Sequence, residues 1–212
     1  MAATASPYGF KAVNELGGLP YAGSTRSFLI DPAGYSNNIF NGSIVFVGSD
    51  GYLQLVTGTG ADGTTNSFPG NGTLTGAVGV FVGCSYVNAQ GQQIWSQYYP
   101  ANTTGVVSAL VIDDDRTVFQ VQAAGVISQT ELGNNVYLAN AQSTSTGSTT
   151  TGNSNIAVNA TAITTTAAFR IVGFVNSTTS QVGDAYTDIL VKFNPGYHSY
   201  SNAVCQIGRA HV

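Results

Sequence analysis

Apolar residues recur along this chain in short runs with a period near two, broken by clusters of Gly, Pro, Asn and Asp. Ser27–Ile30 opens the pattern, a turn at Asp31–Gly34 interrupts it, and Ile39–Phe40 and Ile44–Val47 resume it. Gly48-Ser-Asp-Gly51 leads into Tyr52–Val56, the signature of a hairpin. Ala77–Val87 reads as a buried strand kinked by its glycines, and Asn88–Gly91 turns it back into Gln93–Tyr99. Val106–Ile112 and Thr117–Gln122 predict a second hairpin around Asp113–Arg116, and Phe169–Val175 and Tyr186–Phe193 two more strands with a turn at Asn176–Gly183.

The remaining segments are punctuation. Residues 1–27 predict an extended N-terminal arm, because Pro7, Gly9, Gly17-Gly18 and Pro20 oppose a helix. Its aromatics, Tyr8, Phe10 and Tyr21, need something to lie against. Ser128 followed three residues later by Glu131 has the form of a capping box and predicts a short helical turn. Ser143–Asn155, built only from Ser, Thr, Gly and Asn, predicts an exposed loop or linker. In the last strand, alternation puts Asp188, Leu190 and Lys192 on one face and Ile189, Val191 and Phe193 on the other. Arg170 shares a face with Val172 and Phe174, so an ion pair to Asp188 or Asp184 is expected, worth under about 1 kcal/mol if exposed. Many short strands with almost no helical periodicity give an all-β class: a β-sandwich, jelly roll or short β-barrel over residues 28–206.

Composition narrows the function classes. Six Lys and Arg stand against ten Asp and Glu, with His198 and His211 the two imidazoles. Acid–base catalysis needs positioned titratable groups of different pKa, and few are available to pair. Polarity is carried instead by Gly, Thr, Ser, Asn and Gln, the composition of β-rich proteins that pack against copies of themselves. A net charge of −4 without a basic cluster argues against nucleic-acid binding. The N-terminus lacks the basic start and apolar run of a secretory signal, and no stretch reaches the length of a membrane span, so a cytoplasmic origin and no membrane partner are expected. Cys84 and Cys205 lack metal or redox spacing and are expected as free buried thiols. Ile207–Val212 back-translates as ATC GGA AGA GCA CAC GTC, the start of a common short-read sequencing adapter. Residues 207–212 are therefore expected to be foreign to the natural chain.

The apparent chemical motifs weaken on inspection. Gly58-Thr-Gly60-Ala-Asp-Gly63 has dinucleotide-fingerprint spacing, but no helix follows to receive a pyrophosphate, so a flexible loop is expected. Asp113-Asp114-Asp115 lacks the alternation, Gly and distal Glu of a calcium loop and is expected to be a solvated hairpin tip. The five Asn-X-Ser/Thr sequons, at Asn41, Asn71, Asn102, Asn159 and Asn176, are close to what composition alone gives. His198 has no neighbour spaced to share a metal and no nucleophile to serve, so it is expected to be structural or interfacial. No catalytic, cofactor or metal residue is expected. Trp95 with Tyr99, placed on one face by alternation, offers either a stacking platform or a core or subunit contact.

Two terminal regions carry a family resemblance. Ala5-Ser-Pro-Tyr-Gly-Phe-Lys11, Gly17-Gly-Leu-Pro-Tyr-Ala-Gly-Ser-Thr-Arg26, Phe169-Arg-Ile-Val-Gly-Phe-Val175, Asp184–Phe193 and His198 resemble small virion proteins of tailed bacteriophages, particularly the head decoration or cement proteins of aquatic phages. Residues 50–165 have no counterpart in the resemblance. It implies a non-enzymatic, homo-oligomeric protein, dimer or trimer, on the capsid exterior, with the major capsid protein as partner. Such a protein stabilises a shell by binding the assembled lattice, which takes area rather than reactive groups. Tyr8, Phe10, Lys11, Tyr21 and Arg26 are the expected contact residues, unless the arm folds back on its own domain. A tail or receptor-binding protein and a carbohydrate-binding module are the alternatives.

Overall fold

The computed structural model describes residues 4–60, 76–162 and 164–201. Along the chain the strands are β1 (Lys11–Glu15), β2 (Arg26–Ile30), β3 (Ile39–Phe40), β4 (Ile44–Val47), β5 (Leu53–Leu55), β6 (Ala77–Val87) and β7 (Gln93–Ser96). They continue as β8 (Tyr98–Tyr99), β9 (Val107–Ile112), β10 (Thr117–Gln122), β11 (Asn135–Val136), β12 (Phe169–Phe174) and β13 (Asp188–Phe193). A single 3-10 turn at Gln129–Glu131 sits where the capping box pointed, with the Ser128 backbone N–H donating to the Glu131 carboxylate.

The protein is all-β, and its strands pair antiparallel in two main sheets. One sheet runs β1-β10-β13-β12-β11; the other runs β2-β9-β6-β4-β5, with β7 also on β6. A ribbon of β3 and β8 closes one side. The sheets pack through Ile44, Val80 and Ile112 on one side and Phe119, Val121, Ile189 and Val191 on the other. The opposite face of the second sheet has its own core of Ile30, Val45, Leu55, Phe81, Tyr99, Val107 and Val111. Its edge strands β2 and β5 come into contact around that core, curling the layer toward a short barrel. Period-two patterning accounts for both cores: β13 is buried at Ile189, Val191 and Phe193 and half-exposed at the residues between.

Three local expectations need correction. Asp113–Arg116 is no hairpin tip, because β9 belongs to one sheet and β10 to the other; the segment crosses between layers. Local pattern reveals a strand but not its pairing partner. The ion pair of Arg170 with Asp188 or Asp184 is absent: a shift between Ile171 and Gly173 sets Arg170 opposite Lys192, and its Nε donates to Asn135 Oδ1 at 3.3 Å. Tyr99 does not share a face with Trp95, since the chain breaks at Gln97 and β8 pairs with β3 instead. Tyr99 is wholly buried, its hydroxyl 3.1 Å from the Thr103 carbonyl and accepting the Tyr35 N–H at 3.0 Å.

The low-complexity segment 143–155 is fixed to the domain rather than acting as a linker. Its side chains are largely exposed, but just before it the buried Gln142 bonds as an extra strand would. The Gln142 amide donates to the carbonyls of Ile44 at 3.0 Å and Val56 at 2.7 Å and accepts the Ile44 N–H at 2.9 Å. Gly147 lies so close to the buried Phe40 ring that a Cβ there would collide with it. Asn41 and Asn153 form a bridge, with Ser154 N–H donating to the Asn41 carbonyl at 2.8 Å.

The N-terminal segment from residue 4 lies on its own domain. β1 is a full member of the first sheet through β10, and Phe10 enters the core. An arm free to reach another molecule is therefore a description that its described residues do not fit.

Candidate interaction surface

The five residues singled out in the arm fall into two places. Tyr8 and Lys11 line a cleft of about 330 Å³ with Asn41, Gln120 and Asn153, and Phe10 forms its floor. Phe10 is 2% exposed, 4.8 Å from the ring of Phe169 and 6.3 Å from that of Phe119, so it is a core residue and not a contact. The Tyr8 hydroxyl donates to Asp188 Oδ1 at 3.2 Å. Burial and the Asp188 carboxylate both push the Tyr8 phenol well up, and burial raises Asp188 against the hydrogen bonds from Tyr8 and Gln120. The hydrogen bond ties the N-terminal segment to β13.

Arg26 stands elsewhere, at the start of β2. Its Nε pairs with Asp113 Oδ2 at 2.9 Å, and its Nη1 donates to the Tyr200 hydroxyl at 2.7 Å. Tyr200 in turn donates to Asp113 Oδ2 at 2.8 Å, while the guanidinium lies 5.3 Å from the Tyr200 ring centre. Burial, then the Asp113 carboxylate, pushes the Tyr200 phenol up to about 12. Tyr21 joins the same neighbourhood: its hydroxyl donates to the Ser24 carbonyl, and burial followed by Asp113 and Asp114 raises its pKa. Asp113 is therefore a buried anchor that ties β2, the crossing segment and the chain after β13 together. Among the described residues no group of three or more His, Cys, Asp or Glu could hold a metal ion.

His198 is wholly buried beside Phe193 and Tyr200, its Nδ1 accepting the Tyr200 N–H at 3.3 Å. Desolvation lowers its pKa against the opposing pull of Asp115, Asp113 and Asp114. Cys84 is buried and free, with burial pushing its thiol up to about 12, so it is inert as a nucleophile. Cys205, Arg209, His211, residues 207–212, Asn71 and the second half of the Gly58–Gly63 motif lie outside the described residues.

The feature that reads as a surface for other molecules is on the second sheet. β6 and β9 are long, and register carries one row straight across four strands: Trp95, Ser85, Ser108, Leu29. Residues directly opposite point to the same face. That face continues the one that buries Val80 and Ile112 against the first sheet, but at Trp95 and Leu29 it is exposed, with Ser85 still buried between them. A second row adds Val87, opposite Gln93, and beside it Val106, just before β9. Trp95 is 71% exposed, Val106 73%, Val87 53% and Leu29 52%, four of the ten large exposed hydrophobics among the described residues. No charged side chain stands in the first row, where Ser85 and Ser108 lie between the apolar flanks; Asp31, just after β2, comes opposite Val106 at the end of the second row. Together the four side chains present on the order of 500 Å², the size of a functional patch on a single protein.

Leu29, Val87 and Val106 were not singled out in the sequence. Alternation marks each as an out-facing position in a β run, but only the register shows that they adjoin Trp95. Comparison with known proteins adds no relative: no family model matches the chain, and no curated protein or solved structure matches it.

Proposed function

We propose that this chain is a non-enzymatic structural protein of a tailed-phage virion, a head decoration or cement protein that docks on the assembled capsid from outside. The observation that carries this reading is the gathering of four exposed large apolar side chains, Trp95, Leu29, Val87 and Val106, on one face of the second sheet. A face of that kind fits a protein subunit, because burying it releases water from apolar area. The buried or paired state of Asp113, His198, Cys84 and Tyr8 supports the same reading, since the titratable groups are used in holding the fold. The partner is the major capsid protein, and the protein's own copies complete the lattice contact. Tyr8 and Lys11, in their cleft, are secondary contact candidates; Phe10 is withdrawn from that role.

Mixing the purified protein with expanded and unexpanded capsid shells, followed by co-sedimentation, tests the reading. Binding to the expanded shell is expected, with a rise in the shell's melting temperature, because a ligand of the assembled state stabilises it by mass action. Failure to bind either shell contradicts it.

Trp95 also favours a second reading, a carbohydrate-binding module, because an exposed indole on a sheet face can stack a sugar ring. Against it, Leu29, Val87 and Val106 on the same face offer a sugar no polar group, and Gln93 is the one amide in the two rows. A glycan array on which Trp95→Ala abolishes a specific signal would establish that alternative.

A further inference from the structure

The open edge of β7 has a consequence for assembly. Sheet edges are usually guarded by charge, proline, bulges, brevity or cover. β1 carries Lys11, Glu15 and a register shift; β11 is two residues long; β2 carries Arg26 and lies against β5. β7, Gln-Ile-Trp-Ser, has no charge, no proline and no register shift.

The ladder fixes which of its groups are free. Asn88 N–H donates to the Gln92 carbonyl at 2.9 Å, so Asn88 and Gln92 form a hydrogen-bonded pair at the hairpin end. Antiparallel pairs alternate, which makes Val87–Gln93 and Ser85–Trp95 the pairs that do not exchange bonds. The N–H and C=O groups of Gln93 and Trp95 therefore point away from β6, and among the described residues nothing bonds them.

Two donors and two acceptors at residues 93 and 95 make a self-complementary set. We propose that a second copy of this chain pairs with it through β7, antiparallel, about a two-fold axis at Ile94. Gln93 of one copy then faces Trp95 of the other, twice, in hydrogen-bonded pairs that give four main-chain bonds. Ile94 meets Ile94 of the other copy in the narrow pair between them. An edge with no charge meets its own image without repulsion, as an isologous contact requires. The pairing is coplanar, so both apolar faces stay open and join side by side into a platform of roughly 1,000 Å², above the share one partner contributes to a standard interface. The inference stands on β7 alone and does not depend on the virion reading.

Analytical ultracentrifugation of the full chain tests it, with two variants. Wild type is expected as a dimer. Gln93→Pro removes an outward N–H at the first residue of the strand, where proline is tolerated, and is expected to weaken dimerisation about tenfold or more. Ile94→Cys, made in a Cys205→Ser background, is expected to form a covalent dimer on mild oxidation, because directly opposed Cβ atoms in a narrow pair lie within about 5.5 Å. A monomeric wild type overturns the proposal and leaves the edge to a strand of another protein. A dimer that persists in Gln93→Pro, or that does not cross-link at position 94, also overturns it, since its interface would lie elsewhere. Should Gln93→Pro not fold, the cysteine variant decides alone.

Discussion

The buried titratable residues set how this protein responds to pH. His198 sits at zero exposure against Phe193 and Tyr200, with Asp113, Asp114 and Asp115 the charged groups that act on it. Its folded-state pKa is below the ordinary 6.5, so the native state binds fewer protons than the unfolded chain. Stability is therefore full above the unfolded value, falls as pH drops through 6.5, and levels off below the folded value. Thermal melts across that range should show a decline that His198→Gln flattens; a wild type equally stable throughout would refute the assignment. The sequence placed His198 as structural or interfacial, and the side chain is in the core. The role of Asp113 was not legible in the same way. In a run of three aspartates, nothing local says which one turns inward to meet Arg26 and Tyr200 from distant parts of the chain.

Single elements were more legible than their pairings. Hydrophobic alternation and turn chemistry located β2, β6, β10 and β13 closely, and the β4–β5 hairpin followed from Gly48–Gly51. The β9–β10 connection looked equally local and is not, because sheet membership depends on contacts far along the chain. Composition was also a poor guide to segment 143–155. Its Ser, Thr and Gly residues cannot build a core, yet Gln142 beside it bonds the buried Ile44 N–H and Val56 carbonyl and adds a second bond to the Ile44 carbonyl, which also accepts the Val56 N–H. Gln142→Ala is expected to cost about 3 kcal/mol in denaturant unfolding, from a buried donor and acceptor set left unmade. It should also open the 143–155 segment to proteinase K, which is expected to cut the wild type slowly there. Equal cleavage of both forms would show the segment to be a linker after all.

For the molecule as a whole, scarcity of charge has two structural counterparts. Several of the titratable groups are used inside the fold, and four of the exposed large hydrophobics gather on one face of the second sheet. The all-β class could be read from composition and period. The exposed apolar face could not, because it is assembled by register from β2, β6, β7 and β9. The arm residues suggested by sequence are mostly ties within the domain, which moves the weight of the functional account to Trp95 and its neighbours. The most direct test is a binding isotherm on expanded capsid shells, comparing wild type with a Trp95→Asp, Val106→Asp double variant. Both positions are exposed, so the variant should fold and melt like wild type. Saturable wild-type binding, weakened at least about a hundredfold in the variant, roughly 3 kcal/mol, is the predicted result. Variant binding equal to wild type, or no binding by either, would contradict the account.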